Sequence, residues 1–428
     1  MRWLQLVAKM KVLFAHTYLP GQFVHVASAL AADPANEVVY LYDEDQGEPE
    51  IPGLRAIRID TAPGERREAH PFLCRLEEQV LRGLAAYRAC AVLRDGGFVP
   101  DVMYAHAGSG LGLYLRDAFP EARLLGYFEW FFSGLGSDLD FIDPGAVTAE
   151  DLLRRHTTNA CALLELVQCH GGVSPTAFQR DQFPPELRTK LIVLHDGVDT
   201  AFFDRAGGTG RDGKPIAGLP DEVELVTYAA RGLEPYRGFP EFTEAIALLL
   251  DRRPRLHVLV AGRDHAYYSR PLPDGRTYRQ AALERFPSLD TARVRFLGPL
   301  PREQYRALLH ASSVHVYLTA PFVLSWSLIE AMAAGCTIVA SDTAPVREVL
   351  SDGENALLAD FHSPSAIAAC IDRALDDRAG AKRLATAARL VAEQRFALDR
   401  LVPEHLSLLR FLAKPGVQEN GSGSSQRR

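Results

Sequence analysis

What the sequence has little of narrows it first. Six cysteines are spread over 428 residues, at Cys74, Cys90, Cys161, Cys169, Cys336 and Cys370. None form a C-x-x-C pair, and none stand in zinc-ligand spacing with a histidine. That excludes a disulfide-built scaffold and a zinc module; most lie in apolar stretches and are expected as buried thiols of a reducing compartment. No apolar stretch reaches the roughly 18 residues that a membrane span needs. The opening MRWLQLVAKM has a faint leader-like look, but Lys9 and Lys11 interrupt it and a strand pattern follows, so it is read as no leader, with Met10 an alternative start to Met1. Excess basic charge is absent too: 47 Lys and Arg against 54 Asp and Glu leave −7, which argues against a nucleic-acid partner. Lysine is scarce, six of those 47, so phosphate contacts fall to arginine, which grips two oxygens at once.

What is present is ordinary globular material, 47% hydrophobic and 24% charged, with a length that implies two to three domains at roughly 150 residues each. Short apolar stretches alternate with amphipathic ones. Strands are predicted at 11–16, 38–42, 54–59, 102–105, 123–127, 172–174 and 191–194, with helices over 23–31, 66–94, 111–119, 152–168 and 177–182 between them. The segment 206–221, AGGTGRDGKPIAGLPD, interrupts the pattern and reads as a linker. The alternation then restarts, with strands predicted at 224–229, 256–261, 294–297, 314–318, 337–340 and 356–358 and helices at 239–250, 304–311, 328–334, 364–375 and 381–394. This is the signature of two α/β halves, each a parallel sheet covered on both faces, with ligands expected beyond the carboxyl ends of the strands.

Several constellations fall at such ends. In YAARGLEPYRGF a strand is predicted to end near Ala230, leaving Arg231 at its carboxyl end and Arg237 past a proline turn. Two converging arginines are costly unless an anion neutralises them; the alternative is two solvated arginines with Glu234 as partner. In Ala320–Asp360 a loop enters a helix near Ser327, whose free N–H groups and positive dipole end suit a diphosphate. Glu330, one turn in, can reach a ribose diol, although Ser327 and Glu330 also have the spacing of a capping box. Gly21, in the loop Tyr18–Phe23, permits close approach of a ligand, against an ordinary turn. His106 ends the strand of YAHAGSG. Glu129 stands among five aromatics in GYFEWFF, where a carboxylate is expected to have a raised pKa, to bind a hydroxyl, or to be a paired structural group. Gly262 and Arg263 follow the strand LHVLVA, and His195–Asp199 reads as a turn.

These residues resemble the retaining glycosyltransferases of family 4, most specifically in FVLSWSLIEAMAAG followed by TIVASDTAPVREVL, and the likeness runs from about residue 11 to 400. The resemblance implies the GT-B fold, two Rossmann-like parallel-sheet domains facing across a cleft. It places an acceptor domain at 10–205, a linker at 206–221, a nucleotide-sugar donor domain at 222–395, a crossover helix at 396–413 and a disordered tail at 414–428. It implies a metal-independent, cofactor-free transferase of the hexosyl/glycosyl class. Its donor would be a nucleotide diphosphate sugar, UDP- or GDP-linked, and its acceptor a glycan or other hydroxyl in bacterial glycan or glycoconjugate synthesis. The expected setting is cytoplasmic; the basic helix 66–94 offers peripheral membrane contact as the alternative to packing on the sheet. Nothing in the sequence speaks to oligomeric state.

Residue by residue, the resemblance gives His106, Arg231, Arg237 and Glu330 the catalytic positions. Arg231 and Arg237 match the diphosphate clamp, with arginine in place of the family's lysine, and Glu330 matches the second Glu of Glu-x7-Glu, which holds the ribose. Gly21, Gly262, Arg263, Ser325, Trp326 and Ser327 complete the donor side; Gln22, Phe23 and Glu129 border the acceptor. The motif's first Glu falls at Phe322, a departure shared with a bacterial subgroup that reads FVLSW here; backbone N–H groups and the Ser325 hydroxyl are the expected substitutes. Two alternatives stay open: a non-catalytic sugar-nucleotide-binding protein on this scaffold, and a GT-B epimerase acting on the nucleotide sugar itself.

Overall fold

The computed structural model describes residues 9–19, 21–45, 50–61, 69–204, 218–220 and 222–414. Most of the predicted linker 206–221, all of the predicted tail beyond Lys414, and the leader-like residues before Lys9 lie outside the described residues.

The first half is built on β1 (Lys11–Ala15), β2 (Tyr18–Leu19), β3 (Glu37–Tyr42), β4 (Glu44–Asp45), β5 (Leu54–Arg58), β6 (Val102–His106), β7 (Arg123–Tyr127), β8 (Gly171–Ser174) and β9 (Leu191–Val193). Seven of these form a parallel sheet in the order β5-β3-β1-β6-β7-β8-β9, and β2 and β4 pair in a small ribbon above its carboxyl edge. The second half contributes β10 (Glu224–Gly232), β11 (Leu256–Arg263), β12 (Val294–Gly298), β13 (Val314–Tyr317), β14 (Ile338–Ser341) and β15 (Leu357–Ala359), in the order β12-β11-β10-β13-β14-β15. The two α/β halves expected from the alternation are present. Central strands such as β1 and β13 are buried on both faces, which is why they read as unbroken apolar runs rather than alternating ones.

Three helices depart furthest from their expected extents. The 66–94 helix begins at Cys74, because His70 and Pro71 form a turn in which the His70 carbonyl and Nδ1 take the N–H groups of Leu73 and Phe72; 66–68 lie outside the described residues. Its Ala86, Cys90 and Leu93 pack into the core on the first sheet. The 111–119 helix shrinks to Leu115–Ala118. The chain before it turns at Gly110, whose φ of 94° and close approach to the Gln79 carbonyl leave no room for a Cβ. The 152–168 helix is two, Ala149–Thr158 and Ala160–Gln168. Asn159 breaks it by turning its side chain to the backbone of Phe132, accepting from N–H at 2.9 Å and donating to C=O at 2.8 Å.

The last helix among the described residues, Leu398–Ala413, leaves the second half and packs Leu401 and Leu409 into the first-half core beside Val26, Leu30 and Tyr104. Phe396 is not part of it: that residue ends the preceding helix and stays in the second-half core. Where this helix begins, residues 195–199 do more than turn. His195 and Asp196 are buried, the Tyr127 hydroxyl donates to Asp196 at 2.9 Å, and His405 meets the His195 carbonyl at 3.1 Å. Glu348 adds a second tie between the halves by accepting the N–H groups of Ala177 and Phe178, both at 2.8 Å. Four of the six cysteines are buried, Cys370 is partly so and Cys74 is exposed. No helix among the described residues is long and apolar enough to cross a membrane.

Candidate active site in the cleft

The carboxyl ends of the two sheets face each other across a cavity of about 1040 Å³. Its second-half wall carries Arg231, Arg237, Arg263, Arg302, Ser325, Trp326, Ser327 and Glu330; its first-half wall carries Tyr18, Gly21, Gln22, His25, Glu44 and Glu129. Among the described residues no group of three His, Cys, Asp or Glu is placed to hold a metal.

β10 runs two residues beyond its predicted end, with a register shift between Ala229 and Gly232, so Arg231 sits within the strand's last residues rather than after it. Its guanidinium lies 4.3 Å from the centroid of the Tyr267 ring. Partial burial opposes its charge, but the hydroxyls of Tyr18 and Tyr268 outweigh this and raise its pKa above the ordinary arginine value. Arg237 is 8% exposed. It donates to Thr319 Oγ1 at 2.8 Å and to the Val323 carbonyl at 3.3 Å, and the left-handed Gly238 that follows packs against Leu318 where a Cβ would collide. Glu234 pairs with neither arginine. Fully buried, it turns away and accepts the N–H groups of Tyr267, Tyr268 and Ser269 at 3.1, 2.8 and 2.8 Å. No carboxylate among the described residues ion-pairs with Arg231 or Arg237, and Glu234 is not the partner that its position in the sequence suggested.

The helix Trp326–Ala333 starts at Ser325, whose Oγ accepts the Ser327 N–H at 3.3 Å and the Ser327 hydroxyl at 3.0 Å. The cap is therefore Ser325, and Glu330 is not half of a capping box. Glu330 lines the cavity, partly buried, and burial lifts its pKa to about 7 against the opposing pull of Arg302 and the Tyr305 hydroxyl. Trp326 and Arg263 are exposed on the wall. Gly262 is not on the cavity surface. Its φ of 144° and close approach to the Ala230 carbonyl, where a Cβ would stand 2.4 Å away, let β10 and β11 close behind Arg231.

At Phe322 the space expected for a carboxylate is aromatic. Its ring centroid lies 4.7 Å from that of Trp130, 4.9 Å from Tyr268 and 5.5 Å from Tyr236, and the Arg237 guanidinium is 5.9 Å from it. The ring is 6% exposed, so it fills this corner rather than opening it to the cavity.

On the opposite wall a hydrogen-bond chain fixes Glu129. The Tyr18 N–H donates to His16 Nδ1 at 2.8 Å, so a neutral His16 carries its proton on Nε2. Burial and the neighbouring His106 push the His16 pKa down to about 3, which keeps it neutral. His16 Nε2 then donates to Gln22 Oε1 at 2.5 Å, and Gln22 Nε2 donates to Glu129 Oε1 at 2.9 Å. Burial works against the Glu129 charge, but His106 and the Gln22 amide more than offset it, so its pKa is lowered rather than raised as the aromatic surroundings suggested. His106 ends β6 and does not line the cavity. It stands behind Glu129, with Nε2 3.7 Å from Oε2, and its ring meets His16 edge-on at 4.6 Å. Phe23, expected beside the acceptor, is 1% exposed and packs on Phe14, Tyr104 and Tyr127, so it is core.

Gly21 does line the cavity, but its backbone has a nearer constraint. With φ at 52°, a Cβ there would stand 2.4 Å from the His16 ring. Gly21→Ala is expected to cost about 1–2 kcal/mol for the left-handed backbone alone and to dislodge His16 from Gln22. Thermal unfolding and acceptor turnover check the two effects separately; an unchanged melt would show that the loop relaxes freely.

Sequence reasoning missed His16, Arg302 and the Tyr267–Tyr268 pair, and gave Glu234 the wrong partners. His16 could have been found, since it ends a predicted strand as His106 does. Arg302 opens the helix Arg302–Ala311 and sits 3.6 Å from Asp199. Its distance in sequence from the other arginines left no local signal.

Comparison with known proteins follows the same division. Residues 34–203 match the family described as Glycosyl transferase family 4 group, and residues 212–391 match Glycosyl transferases group 1. A D-inositol 3-phosphate glycosyltransferase of Corynebacterium efficiens is 31% identical over 194 residues, 44% of this chain and 43% of that protein. A phosphatidyl-myo-inositol mannosyltransferase of Mycolicibacterium smegmatis is 26% identical over 246 residues, 56% of this chain and 57% of that protein. The chain thus spans about half the length of the curated relatives it matches. Among solved structures, the sucrose-phosphate synthase of Thermosynechococcus elongatus superposes with a TM-score of 0.72 at 19% identity, over 94% of this chain and 99% of that one. Anabaena Alr3699/HepE in complex with UDP-glucose gives 0.67 at 17% identity, over 94% and 100%. These likenesses make the fold GT-B.

Proposed function

The chain belongs to the glycosyl transferases of group 1, with a family 4 group first half, and from that premise we propose that it moves a sugar from a nucleotide diphosphate sugar to an acceptor hydroxyl with retention at the anomeric carbon. The observation that carries the reading is the pair Arg231 and Arg237, converging on one cavity with no acidic partner among the described residues. A diphosphate is the anion that fits. As the bond between the sugar C1 and the phosphate oxygen breaks, its electron pair stays on the diphosphate, where the two guanidinium groups and the N–H groups at the start of Trp326–Ala333 stabilise the added charge. The acceptor hydroxyl forms the new C1–O bond on the face the phosphate leaves, and its proton passes to the departing phosphate oxygen. Glu330 takes the ribose hydroxyls, and Arg263 and Trp326 border the nucleoside. Positive charge comes from arginine, so turnover is expected to persist in EDTA.

The UDP-glucose complex of the HepE neighbour supports a UDP-sugar donor, with a GDP-sugar as the alternative, and the phosphorylated inositols in the relatives' names support a polyhydroxylated acceptor. A thermal-unfolding screen of UDP-, GDP-, ADP- and dTDP-sugars tests the reading. A donor at 100 times its Kd stabilises the native state by about 2.7 kcal/mol, so one nucleotide series is expected to raise Tm by several degrees and to be consumed when an acceptor is added. No shift with any of the four would overturn it. A shift followed by conversion of the donor without acceptor would favour the epimerase alternative.

A further inference from the structure

Charge in the cleft is divided by wall. All four arginines that line it, Arg231, Arg237, Arg263 and Arg302, come from the second half. The first-half wall offers three carboxylates, Glu44, Glu129 and Asp199, the last 3.6 Å from Arg302, and no lysine or arginine among the described residues. Its one histidine, His25, has its pKa lowered by burial and by Arg302, so it is neutral near pH 7. Arg82, behind that wall, is spent on Asp43 at 2.8 Å and reaches Glu44 at 3.5 Å. Glu129 is thus the first-half carboxylate without an arginine.

Glu129 is also oriented. Because the Tyr18 N–H fixes the His16 tautomer and His16 fixes the Gln22 amide, one carboxylate oxygen is held by a single N–H donor. The other oxygen meets only His106, at 3.7 Å, beyond hydrogen-bond distance. A carboxylate accepts hydrogen bonds and cannot donate them. Lone pairs therefore remain on Glu129 at the cavity face, and what completes them must bring O–H or N–H groups. An anionic group placed there would meet a like charge, with no lysine or arginine of that wall beside it among the described residues.

We propose that Glu129 is the acceptor-recognising carboxylate, that His16 and Gln22 are its positioning residues, and that the acceptor is a polyol presenting hydroxyls or an ammonium, and no phosphate or carboxylate, to this wall. The inference rests on the glycosyl-transfer reading and adds the chemical class of the acceptor to it. The donor's negative charge is confined to the arginine wall, and acceptors that carry their own phosphate are turned away by Glu129.

The test offers the full chain one polyol in three forms: neutral, amine-bearing and phosphorylated, with whichever nucleotide sugar binds. The neutral or amine-bearing form is expected to be used at least tenfold better in kcat/KM than the phosphorylated one. Glu129→Gln is expected to keep UDP or GDP binding, measured by titration calorimetry, while losing about a hundredfold in transfer, with Glu129→Asp recovering part of it. Gln22→Ala and His16→Phe leave the carboxylate in place but free it. Each is expected to raise acceptor KM about tenfold with donor KM unchanged, a split that a purely structural role would not produce. Preference for the phosphorylated acceptor, or wild-type transfer by Glu129→Gln, overturns the assignment while leaving glycosyl transfer standing. Failure of the wild-type chain to bind any nucleotide overturns the wider reading instead.

Discussion

Arg231→Ala is expected to lower kcat/KM for the nucleotide sugar by about a hundred- to a thousandfold, the usual cost of removing one donor from a preorganised anion site, and to leave the fold intact. The two halves of that expectation come from different features of one side chain. Arg231 is exposed on the cavity wall and its contacts are the face of Tyr267 and two tyrosine hydroxyls. Its loss therefore opens no core and strands no buried group. Yet it stands where the strand ends point, without a carboxylate to share its charge, so an arriving diphosphate meets a cation that is already stacked in place. Arg231→Lys is expected to recover only part of the loss, because an ammonium restores the charge and not the two-toothed grip. Arg237→Ala makes the contrast. Its guanidinium is buried on Thr319 and Val323, so its removal is expected to cost stability as well as affinity. Calorimetry with UDP and GDP, steady-state kinetics and a melt of each variant separate these cases. Normal turnover by Arg231→Ala would remove the clamp from the mechanism.

Elements whose apolar period was uninterrupted were legible residue by residue. β7, at Arg123–Tyr127, and the helix Phe239–Leu250 have the limits that their patterns predict. Elements set by a distant partner were not. Nothing within 149–168 announces that Asn159 will reach for Phe132 and split the helix, and nothing beside Leu111 announces the close pass of Gly110 over Gln79. The site divides in the same way. Arg231, Arg237, Ser325, Ser327 and Glu330 were readable because a parallel sheet delivers the residues after its strands to one edge. Phe23 was misjudged because a helix start beside the cleft has two faces, and periodicity does not tell which one a ring takes. Gly21 was read as permitting a ligand's close approach and Gly262 as part of the donor side, whereas their nearest neighbours are His16 and the Ala230 carbonyl. A missing Cβ makes room, and the sequence does not say for what.

Glu234 shows how far a local reading can miss. Between two arginines it looks like their partner, and removing it should then free the clamp. The geometry predicts the reverse. Its carboxylate is fully buried and takes three backbone N–H groups of Tyr267, Tyr268 and Ser269. That segment supplies the ring beneath Arg231 and the ring 5.7 Å from Arg237. Hydrogen bonds to a charged acceptor are worth about 1.5–3 kcal/mol each, and three lost together, not fully additive, put Glu234→Ala at roughly 3–5 kcal/mol of destabilisation. Nucleotide affinity is expected to fall with it, since both arginines lose the rings that hold them. Glu234→Gln separates hydrogen bonding from shape. Its amide oxygen can still accept, but its NH2 would occupy the place of Oε1, which has no hydrogen-bond partner, so recovery is expected to be partial in both melt and affinity. If instead Glu234 restrained the arginines by charge, Glu234→Ala would melt like the wild type and bind nucleotide more tightly. Denaturant unfolding and UDP titration of the two variants distinguish these outcomes. The first pattern would establish that the clamp's preorganisation comes from a carboxylate that never touches it.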